Sequence, residues 1–174
     1  WASVAMVASC RALLKRAKDN SKFFVTLAAT AKGKFLPQTG SVLTTGLEPG
    51  TLKAVKAVGW VIDEYDRAQV SINLLDFRAT PPHAVFDECC RIAGDLGLRV
   101  TGSEIVGLVP LEALLMAGRH YLARQRRSIG QPENRLVEWA IQSLGLRDVA
   151  PFEAADKVIE CRMRREGRAL RALT

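Results

Sequence analysis

The chain has 174 residues, 48% of them apolar and 25% charged, which fits one globular domain with a real core and argues against a fibrous or wholly disordered chain. No apolar run approaches the ~20 residues of a membrane span, and four cysteines without a C-x-x-C pair, beside two histidines, argue against a zinc site. The net charge of +7 gathers toward the end, in Arg162, Arg164, Arg165, Arg168 and Arg171, and favours an anionic partner or a solvated basic tail.

The elements follow in chain order. Residues 2–18 carry Ala2, Val4, Ala5, Val7, Ala8, Leu13 and Leu14 ahead of a basic turn, a moderately helical pattern. The apolar start precedes the basic residues, the reverse of a signal peptide. Residues 23–29 read as a short strand and 32–50 as loop. Residues 53–63, rich in Val and Ile around Trp60, and residues 69–77, alternating Val70, Ile72 and Leu74 with Ser71 and Asn73, read as a hairpin turning over residues 64–67. Thr80 as N-cap and proline at the first helical position start a helix. Its stripe is Val85, Cys89, Ile92, Ala93 and Leu96, and Gly97 ends it.

Residues 98–109 read as a third strand, interrupted at Gly102-Ser103-Glu104. Pro110 opens a helix with Leu111, Leu114, Leu115 and Leu122 inward. Gln131-Pro132 opens another, with Leu136, Val137, Ala140, Ile141 and Leu144 inward and Gly145 closing it. Residues 157–161 read as a short last strand. From residue 51 the order is strand, strand, helix, strand, helix, helix. A strand and helix ahead of it complete β-α-β-β-α-β, a ferredoxin-like α+β fold. Its antiparallel sheet carries helices on one face, plus an extra C-terminal helix. Residues 1–48 are expected to hold the missing pair, and their pattern supplies it poorly.

Four segments carry a family resemblance. They are Gln69-Val-Ser-Ile-Asn-Leu-Leu-Asp-Phe77; Gly50-Thr-Leu-Lys-Ala-Val-Lys-Ala-Val-Gly-Trp60; Gly102-Ser-Glu-Ile-Val-Gly-Leu-Val-Pro-Leu-Glu-Ala-Leu-Leu115; and Leu144-Gly-Leu146 with Ala150-Pro-Phe152 and Val158-Ile-Glu160. In this order and spacing they resemble the C-terminal subdomain of the glutamate formiminotransferase family, including formiminotransferase-cyclodeaminases. The resemblance divides the chain into an atypical segment 1–48, the subdomain 49–161 and a basic tail 162–174. It implies transfer of a formimino group from N-formimino-L-glutamate to tetrahydrofolate, in histidine breakdown, with no metal. It also implies a homodimer in the complete enzyme and a reducing cytoplasmic location, which the sparse cysteines suit.

The family's catalytic histidine lies in a His-Pro-Arg motif of the first subdomain. That motif does not occur here, so no catalytic residue is assigned to this chain and it is expected to be inactive alone. The sequence begins at Trp1 without Met, and residues 2–48 depart from the family pattern, as expected of a truncated or frame-altered reading frame.

Formimino transfer needs a group to move a proton and a group to steady developing charge. The folate or substrate candidates are Trp1, which resembles a family tryptophan closing a folate loop; Asn73, facing either a cleft or water; and Gly102, Ser103 and Glu104, which suit either close ligand approach or a packing bend. His83, at a position where the family also has histidine, reads mainly as a first-turn structural residue, His120 as a surface residue and Trp60 as core. A non-catalytic ferredoxin-like module for dimerisation or ligand binding remains the alternative. Nucleic acid is not an expected partner, because Val70, Ile72 and Leu74 stand where an RNA-recognition sheet needs aromatics. No membrane partner is expected either.

Overall fold

The computed structural model describes residues 4–11, 52–62, 67–95 and 99–172. Four strands form one sheet: β1 (Val4–Arg11), β2 (Val55–Ile62), β3 (Arg67–Leu74) and β4 (Arg99–Val106). Their order across the sheet is β2-β3-β1-β4, and every neighbouring pair is antiparallel. Among the described residues the helices are α1 (Pro82–Asp95), α2 (Leu111–Arg124), α3 (Glu133–Ser143), the single turn α4 (Ala154–Lys157) and α5 (Ile159–Ala172). This is an α+β architecture with a small antiparallel sheet.

Residues 4–11 overturn the helix expected at the start of the chain. They form an inner strand, bonded on one side to β3 and on the other to β4. Ala and Met favour a helix by only a few tenths of a kcal/mol each, and two complete ladders outweigh that. A short apolar run reads alike in both periods, so only the partners decide. Trp1, residues 12–51, the hairpin turn at residues 63–66 and the Leu96 and Gly97 end of α1 lie outside the described residues.

The β2–β3 hairpin stands as the alternation predicts, though β3 ends at Leu74 and Phe77 sits buried in the turn that follows. The start of α1 differs in one detail. Pro81 carbonyl accepts from Ala84 and Val85, so the helix begins one residue later than the Thr80 cap implies. The buried Thr80 hydroxyl instead donates to Lys53 carbonyl at 2.6 Å and ties the helix start to the lead-in of β2.

The core lies between one sheet face and the helices. Val55, Val70, Ile72, Leu74 and Ile105 meet Val85, Cys89 and Ile92 of α1, Leu114 and Leu122 of α2, and Ile141 and Leu144 near the end of α3. Helices α2 and α3 approach closely at Gly118. A methyl there would stand 2.2 Å from Leu136 carbonyl oxygen, so only hydrogen fits. Helix α3 closes as the sequence predicts. Gly145 has φ +60°, its N–H donates to Gln142 carbonyl, and Leu146 N–H donates to Ile141 carbonyl, a Schellman pair.

The expected strand at residues 157–161 shrinks to one residue. Val158 makes a parallel bridge to Val109, with Val109 N–H donating to Lys157 carbonyl and Ile159 N–H to Val109 carbonyl. Isolated from the main sheet, the segment resumes as helix α5, whose Glu160 carboxylate accepts from Leu111 N–H at 2.7 Å. That carboxylate caps α2, where an anion meets both orphan N–H groups and the positive helix end.

Candidate functional site

Strand register sorts the candidate residues onto the two faces of the sheet. Residues paired across neighbouring strands share a face. The row Ala57, Ile72, Met6, Ile105 belongs to the face that α1 and α2 cover, since Ile72 and Ile105 are buried. The rows Lys56, Asn73, Ala5, Val106 and Val58, Ser71, Val7, Glu104 belong to the other face. No described element lies across that face. Lys56, Asn73 and Val106 are exposed and Glu104 is half-buried.

Asn73 and Glu104 are therefore brought to one surface from opposite sides of β1. Two strand spacings and one two-residue step separate their backbones, roughly 12 Å. Among the described residues neither side chain has a hydrogen-bond partner. Val106, 52% exposed, adds an apolar contact beside them.

Gly102 and Ser103 sit differently. β4 is an edge strand, and the turn that closes α3 lies along its free edge. Ser103 N–H donates to Gly145 carbonyl at 3.1 Å, and the fully buried Ser103 hydroxyl donates to Leu144 carbonyl at 2.6 Å. A methyl on Gly102 would meet Asp148 Cβ at 2.7 Å and Gly145 carbonyl oxygen at 2.9 Å. The pair closes a sheet edge that would otherwise be unpaired, and it carries Glu104 at the next position. Trp1 lies outside the described residues, as do the surroundings of the Trp60 side chain.

A second cluster was not legible as a cluster, because the Asp87 contacts that join its two halves span 33 to 37 residues and each residue reads as ordinary alone. His83 and Asp87 share one side of α1, one helical turn apart. His120, Tyr121 and Arg124 face them from α2. The His83 and His120 rings stack with centroids 4.2 Å apart and planes 18° off parallel. Asp87 holds three neighbours: His120 Nε2 lies 3.0 Å from Oδ2, Tyr121 hydroxyl donates to Oδ1 at 3.1 Å, and Arg124 donates to Oδ2 at 3.1 Å. Burial lowers the His83 pKa to about 4, with His120 acting in the same direction and Asp87 opposing. Burial also pushes the Tyr121 hydroxyl upward, helped by the Asp87 charge. The signals in the sequence were the i, i+4 spacings of His83 with Asp87 and of His120 with Arg124.

Three basic residues of α5 make exposed ion pairs: Arg162 with Glu166, Arg164 with Glu133 and Arg165 with Asp156. Such pairs contribute little each, but they spend charge that an anionic ligand would otherwise meet. Among the described residues no group of three or more His, Cys, Asp or Glu converges as metal ligands would.

Helices packed on one face of a small antiparallel sheet define an α+β domain. The chain belongs to the formiminotransferase domain family, whose model matches residues 19–164. That match begins at residue 19 and so corrects, for residues 19–48, the expectation that residues 2–48 depart from the family pattern. Over 113 residues the chain is 48% identical to the formimidoyltransferase-cyclodeaminase of Sus scrofa, covering 65% of this chain and 21% of that protein. It is 49% identical over the same length to the protein of that name from Dictyostelium discoideum, with the same two shares. A 73-residue match, 34% identical, joins it to the glutamate formimidoyltransferase of Streptococcus pyogenes serotype M1, over 42% of this chain and 24% of that one. The chain thus spans about a fifth of the length of the curated relatives it matches.

Proposed function

We propose that this chain supplies one wall of a formiminotransferase cleft, with the second wall and the proton-transferring histidine carried by polypeptide outside it. The observation that carries this is the sheet face bearing Asn73 and Glu104, partnerless among the described residues, in a domain of this family. The strand order β2-β3-β1-β4, with all neighbours antiparallel, supports the β-α-β-β-α-β ferredoxin-like subdomain expected from the sequence. Absence of a His-Pro-Arg segment from the sequence supports assigning the acid–base step elsewhere.

The chemistry is the transfer of a formimino group from N-formimino-L-glutamate to N5 of tetrahydrofolate, within histidine breakdown in the cytoplasm. The secondary amine N5 attacks the formimino carbon and loses its proton. The carbon–nitrogen bond to glutamate then breaks as that nitrogen takes a proton, and free glutamate leaves. The residues here position rather than transfer. The Glu104 carboxylate suits the guanidine-like edge of a pterin through charge-assisted hydrogen bonds. The Asn73 amide offers both a donor and acceptors to a polar substituent. Gly102 and Ser103 hold the strand that carries Glu104, and Trp1 stands as a further folate contact from the sequence. The complete enzyme is a homodimer on the same grounds of resemblance.

The test is calorimetric titration of the chain with 5-formyltetrahydrofolate, beside an assay with tetrahydrofolate and formiminoglutamate. Weak binding is expected, lost in the double variant N73A/E104Q, with no turnover by the chain alone. Turnover by the chain alone, or binding unchanged by the double variant, would overturn the proposal. A non-catalytic dimerisation module predicts no folate binding and a dimeric mass on size exclusion.

A further inference from the structure

The stacked histidines lie in the α1–α2 contact, away from the sheet face assigned to substrate. Their geometry is selective for one protonation state. The His83 Nδ1 atom is buried without a hydrogen-bond partner among the described residues. A neutral ring tolerates this by keeping its proton on the other nitrogen, so that Nδ1 presents only a lone pair. An imidazolium carries N–H on both nitrogens and would bury a donor with no acceptor. It would also stand 4.2 Å from a second ring that already shares Asp87 with Tyr121 and Arg124. The groups around His83 among the described residues are Asp87 and Cys90 on α1 and His120, Tyr121 and Arg124 on α2. The single carboxylate there is already occupied.

We propose that the His83–His120 stack is a proton-sensitive latch between α1 and α2, closed while His83 is neutral and opened when it takes a proton. On protonation the His83 ring leaves the stack to reach water, and α1 loses that ring contact with α2, leaving Asp87 to hold the two helices together. The direction follows from linkage. His83 binds a proton less readily in the closed state than in the open one, so the latch is fully effective above pH 6.5 and weakens as pH falls toward about 4. The whole shift corresponds to a closed-to-open ratio falling up to about 300-fold. Partial solvation of the ring reduces this, and about 30-fold is the working expectation.

The chain contains only two histidines, so two imidazole Hε1 signals report directly by NMR. In the wild-type 174-residue chain one signal should titrate well below pH 6.5, and Tyr121 ring shifts should move with the same midpoint. In His120→Gln that midpoint should rise. In His83→Phe, which keeps a ring and removes the proton, the Tyr121 shifts should hold down to pH 4. Two independent titrations near 6.5 with Tyr121 unmoved would overturn the latch, as would an unchanged midpoint in His120→Gln. The wild-type titration decides even if a variant fails to fold.

Discussion

Ser103 and Glu104 are adjacent in sequence and point to opposite consequences, which Ser103→Ala exposes. The Ser103 hydroxyl is fully buried and donates at 2.6 Å to Leu144 carbonyl. Removing it deletes a net hydrogen bond of about 1 kcal/mol, and leaves a buried carbonyl short of a donor at about 1–3 kcal/mol. The neighbouring backbone bond from Ser103 N–H to Gly145 carbonyl persists, so relaxation is limited and about 2 kcal/mol is expected. In urea, with a slope of about 2 kcal/mol per M, the midpoint should fall by about 1 M at unchanged slope. Circular dichroism at equilibrium measures this. Glu104→Gln, on the other face, should stay within about 0.5 kcal/mol of wild type. A Ser103→Ala variant as stable as wild type but impaired in folate binding would refute the edge-closing role and return Ser103 to the substrate side.

Other outcomes follow from the same contacts. Gly118→Ala puts a methyl 2.2 Å from Leu136 carbonyl oxygen, so α2 and α3 must separate, and a loss above about 3 kcal/mol or failure to fold is expected by thermal melting. Glu160→Gln keeps the shape but removes the charge capping α2, and should cost about 1 kcal/mol by urea unfolding, less at high salt. The acid sensitivity traced to His83 should add a stability decline between pH 6.5 and about 4 that His83→Phe lacks.

Much of this was readable from residues alone. The β2–β3 hairpin, the stripes of α1, α2 and α3, and the Gly145 stop are local patterns, and local patterns survive folding. Asn73 was correctly set apart from Ile72 and Leu74, because alternation in a strand assigns faces without knowledge of neighbours. β1 was misread because an apolar strand paired on both sides lacks a distinguishing period. The last strand was misread because Val158 and Ile159 favour extension locally, while their single bridge to Val109 leaves α5 free to form. Glu160 on α2, Ser103 on Leu144, Gly118 on Leu136 and Asp87 with His120 are contacts across 18 to 49 residues. No spacing rule in a single sequence announces such pairs.

A domain graft measures the account most directly. Residues 49–161 would replace the corresponding segment of the Sus scrofa relative, with turnover of formiminoglutamate and tetrahydrofolate as the readout. A folded graft that turns over, and loses most of its rate on adding N73A/E104Q, is the expected result. A folded graft whose rate ignores both substitutions would contradict the placement of substrate on this sheet face.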